Sequence, residues 1–283
     1  MNVLFVAVFA PGSTNLSQEA CLTRQGAVVH RFSYRDKWGS SHRRDQKMVE
    51  QAIQNNCKLV LISKGDGIQA DAIAHLRERG IKVFLWYMDP LHNFGKDLEQ
   101  RIWVCDRTFC ALQEPHERAR EMVGDRAIFL QEGFDPDADK PVPTKYRYNV
   151  SFIGQLYGSR GQFIKATSSD AHVLSGVYGK AHAEAVCASR INLNFTKGGT
   201  SDRTYKILAA GGFLLTQPWP GMDDDFTEER DFVTFTTPEV LKEQIKRWLP
   251  DEQGRRRIAE HGRETVQKFS RNNWARKILE IAK

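Results

Sequence analysis

The residues best placed to do chemistry lie in the string SRINLNFTKGGTSDRTYKILAAGGFLLTQPWPGM, residues 189–222. Asp202 stands where an N-cap is expected, ahead of a predicted helix over residues 204–210. A helix N-terminus presents unpaired N–H groups and a partial positive charge, and the guanidinium fork of Arg203 in the first turn suits phosphate oxygens. Arg203 and Lys206, three residues apart, share a helix face. Two cations there repel one another and oppose the macrodipole, and an anion held between them removes that conflict. A surface arginine that merely tolerates the position fits the same spacing. Gly211 and Gly212 end the helix, because glycine accepts the left-handed geometry of a helix exit.

These residues need strands to hold them. Residues 191–195 alternate apolar and polar, as a half-buried strand does, and residues 213–216 return as a buried strand that Pro218 and Pro220 terminate. The loop between them begins at Lys197 and runs to Ser201. The unit is strand, polar loop, short helix, double glycine, strand.

The first half of the chain alternates strand and helix signals, the pattern of a parallel sheet with helices on both faces. Strands are predicted at residues 2–9, 27–32, 59–62 and 81–87, with shorter units near 107–112 and 127–130. Helices are predicted from Leu16, at 43–55 and at 70–79. Ligands of such sheets gather at the carboxyl ends of the strands. Three polar turns stand there: Gly12-Ser13-Thr14, Lys64-Gly65-Asp66 and Asp89-Pro90. Any one of them reads as ordinary turn composition, but three at successive strand ends point to a site. A proline-rich, apolar-poor stretch over residues 133–148 marks a joint between domains, placed as 1–140 and 141–283. Beyond it the α/β pattern resumes, with strands at 149–153, 173–178 and 231–235. Helices are expected at 181–188 and 238–249, then from a linker at 251–254 almost to Lys283.

Composition narrows the function classes. The 283 residues suffice for one large or two modest domains. An apolar run near the roughly 20 residues needed to span a bilayer is absent, and the N-terminal stretch reads as a core strand rather than a signal peptide. The five cysteines are scattered without a C-x-x-C pair, which fits reduced thiols in a cytoplasmic protein. Cys and His lack zinc-ligand spacing, so no metal is expected. Lys and Arg number 41 against 35 Asp and Glu, a net charge of +6. That balance favours anionic ligands without choosing among them.

The strings S-x-x-x-N-L-N-F and S-D-R-T-Y-x-I-L-A-A-G-G-F-L-L-T resemble the C-terminal half of CgeB-like glycosyltransferases. The resemblance also runs through residues 59–67, Leu85-Trp86, Asp89-Pro90, residues 151–154, Arg160, and Ile258 to Arg263. It implies a GT-B fold: two Rossmann-like α/β domains facing a cleft, the last helix packing back on the first domain. It also implies a nucleotide-diphosphate sugar, such as a UDP-sugar, as co-substrate, and no cofactor. By the same resemblance Gly154 begins a loop under the diphosphate and Arg160 reaches its oxygens. Arg203 makes a second phosphate contact, Gly211 and Gly212 allow close backbone approach, and Gly12-Ser13 borders donor and acceptor. Lys206 stands where the family usually carries a ribose-binding Glu.

The resulting expectation is metal-independent glycosyl transfer, with Arg160, Arg203 and a helix N-terminus stabilising the departing diphosphate. An inverting reaction requires a base for the acceptor proton. Asp89 is the first candidate by its place at a strand end, and Asp66 the second. Two other readings stand beside this one. In the first, Arg31, Arg35, Lys37, Arg43, Arg44 and Lys47 form a basic surface for a nucleic-acid acceptor, and the enzyme glycosylates a hydroxylated base in DNA. In the second, Lys206 marks a non-catalytic binder of nucleotides or sugar phosphates.

Overall fold

The computed structural model describes residues 1–167, 171–196 and 199–283. The chain divides into two compact units, one formed by Met1–Glu132 with Arg271–Lys283 and the other by Gly133–Ser270. The division falls at the start of the proline-containing stretch, and the C-terminal helix belongs to the first unit.

The first unit runs β1 (Asn2–Ala7), α1 (Thr14–Arg24), β2 (Val28–Ser33), α2 (Ser41–Gln54), β3 (Leu59–Ser63), α3 (Ala70–Glu78) and β4 (Lys82–Tyr87). It continues with α4 (Lys96–Val104), β5 (Arg107–Cys110), α5 (Gln113–Val123) and β6 (Ala127–Phe129). The six strands are parallel, in the order β2-β1-β3-β4-β5-β6. Such a sheet is covered on both faces, which is why its central strands are nearly continuous apolar runs. Leu4 and Val6 face a cluster with Met48, Ile73 and Leu76, while Val3, Phe5 and Ala7 face Cys21 and Leu22 on the other side. The order reverses between β1 and β3, so the turns after those two strands flank a topological switch point.

The second unit begins with β7 (Tyr148–Ile153), α6 (Arg160–Ala166), β8 (Ala171–Leu174), α7 (Gly179–Cys187) and β9 (Ser189–Asn194). It ends with α8 (Asp202–Ala209), β10 (Leu214–Thr216), β11 (Val233–Thr234), α9 (Pro238–Trp248) and α10 (Glu252–Val266). Its five parallel strands take the order β11-β10-β9-β7-β8, with the switch point between β7 and β9. The remaining helix, α11 (Arg271–Ile281), completes the first unit. Its Trp274 meets Trp86 of β4 edge to face at 5.3 Å, and Ile278 and Leu279 join the same apolar cluster.

Several local expectations change. The strand expected at 173–178 is β8, which lies earlier and stops at Leu174. The expected linker at 251–254 is the start of α10, where the Asp251 carboxylate caps the helix by accepting from Gly254 N at 2.8 Å. Asp202 is the first helical residue of α8 and Ser201 is its N-cap. Arg160 opens the short helix α6. Lys197, where the polar loop was expected to begin, lies outside the described residues.

Candidate functional site

In the second unit the carboxyl ends of β7, β9 and β10 bring together Gly154, Asn194 and Thr216, and α8 starts beside them. Asn194 is fully buried and is the hub. Its Nδ2 donates to Thr204 Oγ1 at 3.0 Å and to Thr216 Oγ1 at 3.1 Å, while its Oδ1 accepts from Arg203 Nη1 at 3.0 Å. The buried amide is satisfied and in turn fixes the guanidinium.

Arg203 lies over the Phe152 ring, with its guanidinium carbon 5.1 Å from the centroid. Arg160 approaches the same ring at 5.6 Å and stacks on Tyr157 at 3.9 Å, and its Nη1 donates to Gln155 O at 3.1 Å. Phe152 is buried and braced edge to face by Phe195 at 4.9 Å. Two guanidinium groups thus flank one aromatic floor. Gly154 makes this arrangement fit, because a β-carbon there would stand 2.9 Å from both Arg203 Nη2 and the Phe152 ring. Its own N–H is taken by Leu174 O at 2.8 Å.

Lys206 behaves differently from the expectation. It pairs with Asp202 one turn back, Nζ to Oδ2 at 2.5 Å, both side chains about one-fifth exposed. The repulsion inferred between Arg203 and Lys206 is therefore relieved within the helix itself, and no anion between them is needed to relieve it. Asp202 serves as the counter-charge rather than the cap.

Gly211 and Gly212 lie at the opposite end of the sheet from Gly154 and Arg203. Gly211 has φ +74° and forms the exit of α8. Gly212 precedes β10 and packs so closely that a β-carbon would fall 2.5 Å from Val186 Cγ1 and 2.8 Å from Asn192 Nδ2. Both therefore serve helix exit and packing at the amino ends of the strands, which corrects their assignment to donor binding.

Two residues of this neighbourhood escaped the sequence. Asn194 is one. The other is His182 on α7, 6% exposed, whose Nδ1 has no hydrogen-bond partner among the described residues. Burial, with the nearby Lys206 charge adding to it, pushes its pKa down to about 3, so the ring is neutral.

In the first unit the turns after β1, β3 and β4 carry the other candidates. Gly12 lies in the turn closed by Ser13 N donating to Ala10 O at 3.0 Å. Ser13 caps α1 and donates through Oγ to Val8 O at 2.7 Å. Asn15 bridges the switch point: its Nδ2 donates to Val8 O and its Oδ1 accepts from Ser63 Oγ at 2.8 Å. Lys64 holds a left-handed backbone, φ +61°, uncommon for a residue with a side chain, and its Nζ meets Asp89 Oδ2 at 2.5 Å. Asp66 is exposed and paired with Arg35 at 2.7 Å. Ser13, Asn15, Ser63 and Lys64 line one hollow of about 310 Å³.

The basic cluster considered for nucleic acid is interleaved with carboxylates. Arg31 pairs with Glu19, Arg35 with Asp66, Arg44 with Asp45 and Lys47 with Glu50. Four of the six cations thus have carboxylate partners within the unit.

The family model described as glycosyl transferase-like matches residues 140–281. The fold resembles Anabaena Alr3699/HepE, solved in complex with UDP and glucose, at 13% identity and TM-score 0.74 over 99% of both chains. It also resembles sucrose-phosphate synthase from Thermosynechococcus elongatus, at 12% identity and TM-score 0.71 over 99% of this chain and 98% of that one. A glycosyltransferase from Rickettsia africae aligns at 10% identity and TM-score 0.68 over 99% and 97%. No curated protein sequence matches the chain. The two Rossmann-like parallel sheets are those of the GT-B fold.

Proposed function

The chain belongs to the glycosyl transferase-like family, and on that premise we propose that it transfers a sugar from a UDP-sugar to an acceptor hydroxyl. The observation that carries the donor assignment is the pair of guanidinium groups, Arg160 and Arg203, set over Phe152 beside a residue without a side chain. Their place at the switch point of the second sheet is where a phosphate-bearing ligand is expected in such folds. As the glycosidic bond breaks, negative charge collects on the β-phosphate. Preorganised guanidinium donors held by Asn194 and the aromatic floor stabilise that charge without moving. The UDP found in the Anabaena neighbour supports uracil as the base. Within the family, the strings around Asn194 and Arg203 support a CgeB-like subgroup.

For an inverting transfer we place Asp89 as the base that takes the acceptor proton. Lys64 engages Asp89 Oδ2 and leaves Oδ1 for the incoming hydroxyl. Asp66, exposed and tied to Arg35, is the weaker candidate. Arg160 and Arg203 carry the leaving-group charge in this reading, so no metal is required.

A thermal-shift titration with UDP, GDP and ADP, followed by release of UDP from UDP-sugars, tests the proposal. UDP should raise the melting temperature progressively with concentration, and UDP should be liberated from at least one UDP-sugar. A melting temperature indifferent to all three nucleotides, with none released, would overturn it.

A further inference from the structure

We propose that the second unit carries a separate oxyanion site at the amino ends of β7, β9 and β10, suited to the phosphate group of a small phosphorylated ligand. This site does not depend on the donor assignment, since it stands at the other end of the same strands, roughly a six-residue strand length (about 20 Å) from Arg203.

The site is a hollow of about 520 Å³, a volume typical of small-molecule pockets. Tyr146, just ahead of β7, and Arg190, the second residue of β9, form one wall. Arg255, Arg256 and Arg263 of α10 form the other, with Glu260 as the single carboxylate among these residues. Arg190 lays its guanidinium carbon 4.7 Å from the centroid of Tyr146. Arg256 is neutralised by Glu252. Arg190, Arg255 and Arg263 form no ion pair among the described residues.

Arg255 is the telling member. It is 2% exposed, and its Nη1 donates only to the carbonyls of Trp248 and Leu249, each at 2.5 Å. Its Nη2 is buried without a hydrogen-bond partner among the described residues. A buried cation whose hydrogen bonds go to neutral carbonyls, with Arg190 near enough to repel it and the charges of Glu252 and Asp251 offsetting burial only in part, is costly unless a further anion compensates. Burial lowers the Arg255 pKa, and the Arg190 charge acts in the same direction. Several planar donor forks converging on one hollow match tetrahedral phosphate oxygens better than they match a lone carboxylate.

Isothermal titration of the full chain with inorganic pyrophosphate tests the site, using circular dichroism to confirm that each variant is folded. The parent should bind pyrophosphate, and the Arg190→Gln/Arg263→Gln double variant should lose at least ten-fold in affinity at one site. Arg203→Ala should leave that binding intact, and the double variant should bind UDP as the parent does. Arg255→Met should weaken pyrophosphate binding while holding or raising the melting temperature, as expected when a buried charge serves a ligand rather than the fold. Pyrophosphate binding that is absent from the parent, unaffected by the double variant, or abolished altogether by Arg203→Ala would overturn the proposal. So would an Arg255→Met protein that melts lower yet binds pyrophosphate normally.

Discussion

Arg203 crosses Gly154 so closely that a β-carbon on the glycine would stand 2.9 Å from Arg203 Nη2. The absence of a side chain at position 154 is thus a condition for the guanidinium to lie on Phe152. Gly154→Ala should push Arg203 off the ring or shift the end of β7, at a cost of about 1–3 kcal/mol in stability. UDP binding should weaken as well. Urea unfolding and calorimetry on the same variant check both effects, and an alanine tolerated in both would show that the contact is not needed.

His182 gives the fold a pH dependence whose sign follows from its burial. Its pKa in the folded chain, about 3, lies below the ordinary 6.5. The unfolded chain therefore takes up a proton below about pH 6.5 that the folded chain refuses. Stability from neutral His182 is complete above that pH and drains as pH falls towards 3. Between pH 6.5 and 5 the loss amounts to about 2 kcal/mol at most. Urea midpoints at pH 7 and pH 5 should therefore fall less for His182→Leu than for the parent. Equal falls would place the titration elsewhere.

Asp89→Asn keeps the shape of the side chain while removing its charge. Turnover should drop by a hundred-fold or more, the scale of general base catalysis, with UDP affinity held within a few-fold. Steady-state kinetics beside a UDP titration separates the two. Unchanged turnover would point to Asp66 or to a retaining route without a base.

Much of this arrangement was legible in the residues. The apolar runs of β1, β3 and β4 announced a parallel sheet, and the polar turns after them mark the carboxyl ends where Ser13, Lys64 and Asp89 stand. Arg203 was legible as the cation of a short helix. Asn194 was not, because the alternation of Ile191, Asn192, Leu193 and Asn194 reads as a strand with one wet face. In the fold both asparagines are buried and satisfied by hydrogen bonds, a solution that periodicity cannot distinguish from solvent exposure. The pair between Asp202 and Lys206 has ordinary i,i+4 spacing, but it forms only because Asp202 lies inside α8, where a cap residue would stand outside the helix. His182 depended on tertiary packing, which no local pattern in α7 reveals. Gly211 and Gly212 were visible as a helix exit, but their place follows from strand direction: residues that precede β10 stand at its amino end, away from Arg203.

The most direct test of the account is calorimetric titration of UDP into the parent protein and into Arg203→Ala. Loss of one charge-assisted phosphate contact is worth about 1.5–3 kcal/mol, so the dissociation constant should rise roughly ten- to a hundred-fold. An Arg203→Ala protein that binds UDP as tightly as the parent would contradict the donor site at the carboxyl ends of β7 and β9.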